Sequence, residues 1–161
     1  MNSSFNTFKD IITNPLKFRF FLLTKLPAAF FVGLRLNQID TEKCIIGVRH
    51  SWFSKNPFKS MYFAAEAMAA EMSIGLLAFG YIYKQPKKVS MLVVKMEADY
   101  FKKGTGKIKF TSNDGKAIEN AIAETILTGE GVTLICESIG KNEADQTVAS
   151  FKFTWSFKAK A

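Results

Sequence analysis

The sequence is poor in the residues on which many hydrolases and metal sites depend. It contains one histidine, His50, and two cysteines, Cys44 and Cys136, among 161 residues. A single histidine excludes histidine-rich metal sites and argues against a serine–histidine hydrolase. The two cysteines lie in strand-like segments without metal-ligand spacing, so we expect two buried, reduced thiols. We expect neither a metal site nor a cofactor.

The sequence also lacks internal repeats, low-complexity stretches and an export signal. Its N-terminal residues do not show the basic and then apolar pattern of a signal peptide, which favours a cytoplasmic protein. Prolines number only four, and apolar residues make up 48% of the chain. This composition fits one domain with a sizeable core. We expect a single domain over residues 1–161, with an N-terminal helical extension at residues 1–26.

Acidic residues are outnumbered by basic ones, and the formal net charge is +8. This excess is compatible with nucleic acid, an anionic lipid surface or a small polyanionic ligand such as a nucleotide-bearing cofactor. The lysines are spread along the chain and form no nucleic-acid motif. Solvation of the surface accounts for most of them, and we expect no nucleic-acid partner.

The most informative segment is a long apolar run at residues 56–80, in which Glu66 and Glu71 are the only acids. A helix that is apolar on almost every face is buried in a core or in a membrane. Its length suits a membrane span, but each carboxylate in mid-span costs about 2.5–3.5 kcal/mol. Because only strand-like segments follow, we predict no membrane span. We predict a central helix at residues 61–79, enclosed by a sheet.

Other segments show weaker patterns. Residues 4–13 and 15–26 predict two helices, and the second is basic and aromatic. That helix is compatible with a membrane surface, although packing onto the domain or a partner subunit is favoured. A further helix is expected at residues 116–128. Period-two alternation predicts six strands, at residues 30–37, 43–53, 90–101, 107–111, 132–139 and 147–157.

Three local expectations follow from these strands. The second strand places His50 in the core, on one face with Val48 and Trp52. The third strand has an apolar face that includes Leu92, and its other face is charged. The glycine-rich stretch at residues 102–106 is interpreted as a hairpin turn.

The order is two helices, two strands, a long apolar helix, two strands, a helix and two strands. A long antiparallel sheet wrapped around a central apolar helix fits this order. This α+β arrangement is the hotdog fold.

The apolar segment resembles the phenylacetyl-CoA-thioesterase-like branch of the hotdog acyl-CoA thioesterases. In that branch an Asn precedes the helix, a His-Gly-Gly follows six residues later, and an acid lies fifteen residues after the Asn. Asn56 and Glu71 have this spacing, whereas Tyr62 stands at the His position and is followed by Phe and Ala. The family's aromatic–basic–x–Gly turn is similar to Phe-Lys-Lys-Gly at residues 101–104. Across residues 27–157 the chain looks most like an uncharacterised branch, a domain of unknown function.

The resemblance implies hydrolysis of acyl-CoA thioesters, which needs a base or nucleophile and donors for the developing oxyanion. With Ser60 as the expected N-cap, the N–H groups of Met61, Tyr62 and Phe63 would supply these donors at the helix start. Asn56 could add a side-chain donor or orient the water. Glu71 would be the base, with a pKa raised by desolvation.

The spacing of these residues constrains the assembly. Tyr62 and Glu71 are nine residues apart, which is about 13.5 Å along a helix. One chain cannot bring both to a single carbonyl carbon, so a catalytic site must lie at a subunit interface. We therefore expect a homodimer or dimer of dimers, with sheets joined edge to edge. Glu66 lies about 140° around the helix from Glu71 and is interpreted as a structural or interface acid.

The expected ligand is an acyl-CoA or a similar thioester. Met61, Phe63 and Met68 would line its acyl chain, since soft side chains adapt to flexible ligands. Lys102 and Lys103 could contact coenzyme A phosphates at a subunit edge.

Several alternatives remain open at this point. Asn56 is also typical of a simple turn, and Tyr62 of an apolar pocket wall. Because the His-Gly-Gly is missing, the alternative function is a hotdog module that binds acyl thioesters or lipid-like ligands without turnover. A third possibility is a basic surface protein for membranes or nucleic acid.

Overall fold

The structure is a computed structural model that describes residues 2–160. Its elements, in chain order, are α1 (Asn2–Ile12), α2 (Pro15–Lys25), α3 (Pro27–Val32), β1 (Arg35–Ile39), β2 (Cys44–Arg49), α4 (Phe63–Ile82), β3 (Val89–Tyr100), β4 (Lys107–Ser112), α5 (Gly115–Thr128), β5 (Gly131–Asn142) and β6 (Thr147–Ala159).

The six strands form one antiparallel sheet in the order β1-β2-β4-β5-β6-β3. The apolar helix α4 packs against β2, β4 and β5. The predicted α+β hotdog fold, a long antiparallel sheet around a central apolar helix, is therefore confirmed. In this order β1 and β3 are the two edge strands.

The core lies between the sheet and α4, as the strand patterns predict. The inward residues of β2 and β6 are almost fully buried, among them Ile46, Phe151 and Phe157. A buried hydrogen bond of 2.8 Å joins the hydroxyls of Ser73 on α4 and Ser138 on β5, so both polar groups are satisfied. Both cysteine thiols are free and buried, as expected.

Helix α4 is long and apolar enough to cross a membrane by length and composition alone, yet 67% of its most apolar window is buried within the fold. That degree of burial is typical of the core helix of a globular domain. At Gly80, helix α1 packs closely against α4. The Phe5 ring of α1 occupies the space that a Cβ at Gly80 would need, and it also contacts the Tyr81 ring, with 4.8 Å between centroids.

The prediction of a strand at residues 30–37 is wrong in its first part. Residues 27–32 form α3, and β1 begins only at Arg35. Pro27 occupies the first turn of this helix, and Gly33 ends it in the left-handed conformation, with φ 87°. These two residues favour a short helix, and they override the β propensity of the phenylalanine and valine between them.

Burial differs from expectation at two strands. The predicted strand at 43–53 ends at Arg49, so Trp52 is 71% exposed and His50 is only half-buried rather than in the core. On β3, Leu92 is 62% exposed. A register shift between Val93 and Lys95 interrupts the pairing of β3 with β6. On either side of this shift Leu92 pairs with Ser156 and Met96 with the buried Phe153, so the predicted apolar face is divided between the two sides of the sheet.

The stretch at residues 102–106 is not a hairpin turn. It joins β3, at one edge of the sheet, to β4, which lies between β2 and β5. The chain must therefore cross over the end of the sheet near the start of α4. Hydrogen bonds hold this crossover loop, since the N–H of Phe101 donates to the Val148 carbonyl and the Gly104 carbonyl accepts from Met61.

Candidate active site

A cavity of about 590 Å³ opens between the start of α4, the loop that precedes it and the crossover loop. It is lined by Asn56, Pro57, Phe58, Ser60, Met61, Tyr62, Phe63, Glu66, Tyr100, Phe101, Lys102, Lys103 and Gly104. Six of the eight residues predicted for the site are among these. The other two, Glu71 and Met68, lie elsewhere on α4.

Asn56 organises the loop before α4. Its side-chain Nδ2 donates to the Ser60 hydroxyl at 3.0 Å and to the Met61 carbonyl at 3.1 Å, and its Oδ1 accepts from the Phe58 N–H at 2.9 Å. Both amide protons are therefore engaged within the loop. These bonds favour the interpretation of Asn56 as a turn residue that positions the start of α4, which is one of the alternatives left open by the sequence.

The start of α4 carries two free N–H groups, though not all of those expected. The N–H groups of Met61 and Tyr62 donate to the carbonyls of Gly104 and Ser54, at 2.7 Å each, so they are not available as oxyanion donors. Within residues 2–160, the N–H groups of Phe63 and Ala64 make no hydrogen bond, because they occupy the first helical turn. Tyr62, and not Ser60, is the N-cap, without a side-chain bond. The N–H groups of Phe63 and Ala64 therefore lie unpaired at the positive end of the helix dipole.

Glu66 faces this cavity from the first turn of α4. It is 2% exposed, and its Oε2 has no hydrogen-bond partner among the described residues. Burial raises the pKa of Glu66 to about 7. A buried acid without a protein partner remains neutral or takes its partner from a ligand or from water.

Gly104 on the crossover loop gives the Glu66 carboxyl its space. A Cβ at Gly104 would lie 2.5 Å from Glu66 Oε1 and 3.1 Å from Met61 Cβ. Tyr100, at the end of β3, is a further neighbour. Burial, and next the charge of Glu66, raise the pKa of Tyr100 to about 12. The sequence did not place Tyr100 or Glu66 beside this cavity, since their convergence depends on the crossover loop.

Glu71 lies on another side of α4. Together with Ala64, Ala67 and Met68, it forms a half-buried stripe that the protein's own chain leaves partly open. These positions recur at intervals of three and four residues, so they share one helix face. Burial raises the pKa of Glu71 to about 7 as well. Gly75, one turn further, leaves room for this carboxyl, because a Cβ there would lie 3.1 Å from Glu71 Oε1.

Two lysines stand at the mouth of the cavity. Lys102 and Lys103 are exposed on the crossover loop. Lys103 Nζ lies 3.5 Å from the Phe58 carbonyl, across the opening. An anionic group at the mouth would therefore meet two positive charges, whereas the aromatic walls suit an apolar group.

An antiparallel sheet around a central apolar helix defines a hotdog-fold protein. Many solved structures share this fold, including the three that follow. A probable thioesterase from Pseudomonas aeruginosa superposes with a TM-score of 0.75 at 19% identity, covering 91% of this chain and 97% of its own. A thioesterase from Haemophilus influenzae gives 0.63 at 11% identity, covering 85% and 86%. A protein of unknown function from Chlorobaculum tepidum gives 0.75 at 15% identity, covering 91% and 97%.

The family is shown by the sequence itself. The DUF4442 family, described as a domain of unknown function, matches residues 16–157. The chain therefore belongs to the DUF4442 family, as the resemblance to an uncharacterised hotdog branch predicted. A comparison with curated proteins gives no match.

Proposed function

We propose that this protein hydrolyses acyl-CoA or similar acyl thioesters, in a cavity that a second subunit completes. The observation that carries the proposal is the pair of free N–H groups on Phe63, which lines an apolar cavity with a cationic mouth, and on the adjacent Ala64. These N–H groups are suited to an oxyanion derived from the thioester carbonyl. The aromatic walls suit the acyl chain, and Lys102 and Lys103 suit the phosphates.

Glu71 of the partner subunit is the proposed base. The stripe that contains Ala64 and Glu71 has its midpoint between Ala67 and Met68. Two copies of this stripe packed antiparallel about that midpoint bring Glu71 of each copy opposite Ala64 of the other, because a two-fold interface pairs residues reciprocally. The carboxyl would then lie near the free N–H groups. Its pKa of about 7 suits a general base near neutral pH.

The edge strand β3 supports the same assembly. Leu92, Val94 and Met96 are 62%, 54% and 45% exposed on a strand that has only one neighbour. An exposed apolar edge strand favours association with another chain. Joining two β3 edges gives the homodimer, or the dimer of dimers, in which the proposed site is complete.

The test is thiol release from acyl-CoAs of increasing chain length. We expect turnover by the wild type, and a loss of about 10²–10⁴-fold for Glu71→Gln, because Gln keeps the shape of Glu but cannot accept the proton. Glu124→Gln, at an exposed position on α5, is the matched control and should retain full activity. If Glu66→Gln is the inactive variant and Glu71→Gln is active, the base is Glu66 of the same chain and the two-subunit mechanism is wrong.

A second candidate function has one observation in its favour. Two of the three expected N–H donors and both Asn56 amide protons are already bonded within the protein. Fewer donors stabilise an oxyanion less, so binding of an acyl thioester without turnover is the alternative. Stabilisation of the wild type by acyl-CoA in a thermal-shift assay, without thiol release at any chain length, would favour this binding module.

A further inference from the structure

The surface formed by α2, α3 and the segment after β2 carries exposed apolar side chains that the sheet and its core do not use. On α2, Leu16 is 82% exposed, Phe20 68% and Leu23 44%. On α3, Phe31 is 53% exposed, and after β2, Trp52 is 71% exposed. We call this region the basic apolar surface. It comprises these residues together with Phe53 and the nearby cations, which are Arg19, Arg35, Arg49, Lys107 and Lys109.

Contacts connect the parts of this surface. The Arg19 guanidinium lies 3.8 Å from the centroid of the Phe30 ring, which links α2 to α3. Leu16 and Leu23 flank Arg19 at three and four residues along α2, so they are its neighbours on the helix face. The Phe31 ring contacts the Phe53 ring, with 5.8 Å between centroids, and Phe53 contacts Trp52 at 5.0 Å.

A cationic cleft of about 490 Å³ adjoins the aromatic part of this surface, since Phe31 lines it. Arg35, Arg49, Lys107 and Lys109 also line it, and none of its lining residues is acidic. The strand register pairs Arg49 with Lys107 across β2 and β4. The described ion pairs engage other lysines, on β3, α5 and β5.

Glu143 lies close to this cleft, since the backbone nitrogen of Lys107 donates to its Oε2 at 3.5 Å. This one carboxylate does not balance the four cations that line the cleft. Acidic residues are also missing from the segments that build the surface, because no Asp or Glu occurs at residues 11–39 or 43–65. Those two segments hold eight Lys or Arg residues. The surplus charge is therefore concentrated beside exposed leucine and aromatic side chains.

We propose that the basic apolar surface docks on a bilayer of anionic phospholipid. Leucine, phenylalanine and tryptophan side chains would enter the headgroup region, and the cations of the cleft would bind lipid phosphates. Charge complementarity favours this occupant over a second copy of the chain. A two-fold interface through this surface would oppose each cation cluster to its own copy. The proposal does not depend on thioester hydrolysis.

Trp52 provides a direct readout on the unmodified protein. The other tryptophan, Trp155, is 5% exposed, whereas Trp52 is 71% exposed. Vesicles of phosphatidylcholine with phosphatidylglycerol should shift the tryptophan emission to the blue, and vesicles of phosphatidylcholine alone should not. Trp52→Phe should remove the shift. An unchanged spectrum with anionic vesicles at low salt would overturn the proposal.

Co-sedimentation with the same anionic vesicles tests the individual groups. Leu16→Ser combined with Phe20→Ser should lower vesicle binding about tenfold or more, because apolar burial in the interface is lost. Leu127→Ser on α5, where the leucine is 84% exposed, is the matched control and should bind like the wild type.

Arg49→Ala combined with Lys109→Ala should weaken vesicle binding and reduce its dependence on salt concentration. Lys88→Ala combined with Lys160→Ala should reduce both quantities less. If the Leu16 and Phe20 variant changes only the oligomeric state by light scattering, the surface is a subunit interface and the membrane proposal fails.

Discussion

Glu66 and Glu71 lie on different sides of α4, and burial acts on both. Glu66 faces the cavity beside Gly104, and Glu71 belongs to a stripe left partly open. Burial raises the pKa of each carboxyl to about 7. The two acids therefore take up protons over the same pH range but present them to different surroundings.

A pH dependence of stability follows for Glu66. Its pKa is raised from 4.5 to about 7, so between these values the folded state keeps a proton that the unfolded state releases. The free energy of unfolding should therefore fall as the pH rises through this window, and level off above it. Glu66→Gln should remove up to about 3 kcal/mol of this fall, as measured by urea unfolding at a series of pH values.

In the Glu66→Gln variant the free energy of unfolding should still fall with pH, but less steeply than in the wild type. This remaining fall comes from Glu71, because its own pKa is also raised. The control Glu124→Gln should follow the wild-type curve. A Glu66→Gln curve parallel to the wild type across the window would contradict the assigned burial of Glu66.

At the scale of elements, the loop before α4 positions the candidate site. Asn56 links this loop to Ser60 and Met61 through both ends of its amide. Asn56→Ala should lower the free energy of unfolding by about 1–3 kcal/mol, because part-buried polar groups lose their partners. Asn56→Asp keeps the acceptor bonds to the Phe58 and Ser60 N–H groups and should cost less.

Thermal unfolding and thiol release, measured on the same samples, separate an effect of Asn56 on stability from an effect on turnover. Asn113→Ala, at an exposed asparagine, should change neither measurement. If Asn56→Ala has wild-type stability but no turnover, Asn56 acts on the substrate and is not a turn residue.

The sequence predicts those elements whose pattern is local. The apolar helix α4 and the alternating strand β6 follow directly from periodicity, and the hotdog fold follows from their order. The crossover loop could not be predicted, because its course depends on β3 pairing with β6 rather than with β4. The cavity beside Glu66 could not be predicted for the same reason, since it exists only where Gly104 returns to the start of α4.

At the scale of the whole molecule, the proposed active site is shared by two chains. The free N–H groups and the cavity belong to one subunit, and the proposed base belongs to the other. The open stripe on α4 and the exposed edge of β3 suit the same dimer. The basic apolar surface involves other elements and is compatible with membrane docking of that dimer.

Subunit complementation tests this claim most directly. Glu71→Gln removes the proposed base, and Gly104→Leu fills the cavity beside Glu66. Each variant alone should be folded by circular dichroism and inactive in thiol release, with Gly104→Ala as a milder variant. Co-expressed in equal amounts, the two should recover about a quarter of wild-type activity, because half of the dimers then contain one intact site. If the mixture stays inactive although hybrid dimers are isolated, the cavity and its base belong to the same chain and the shared site is wrong.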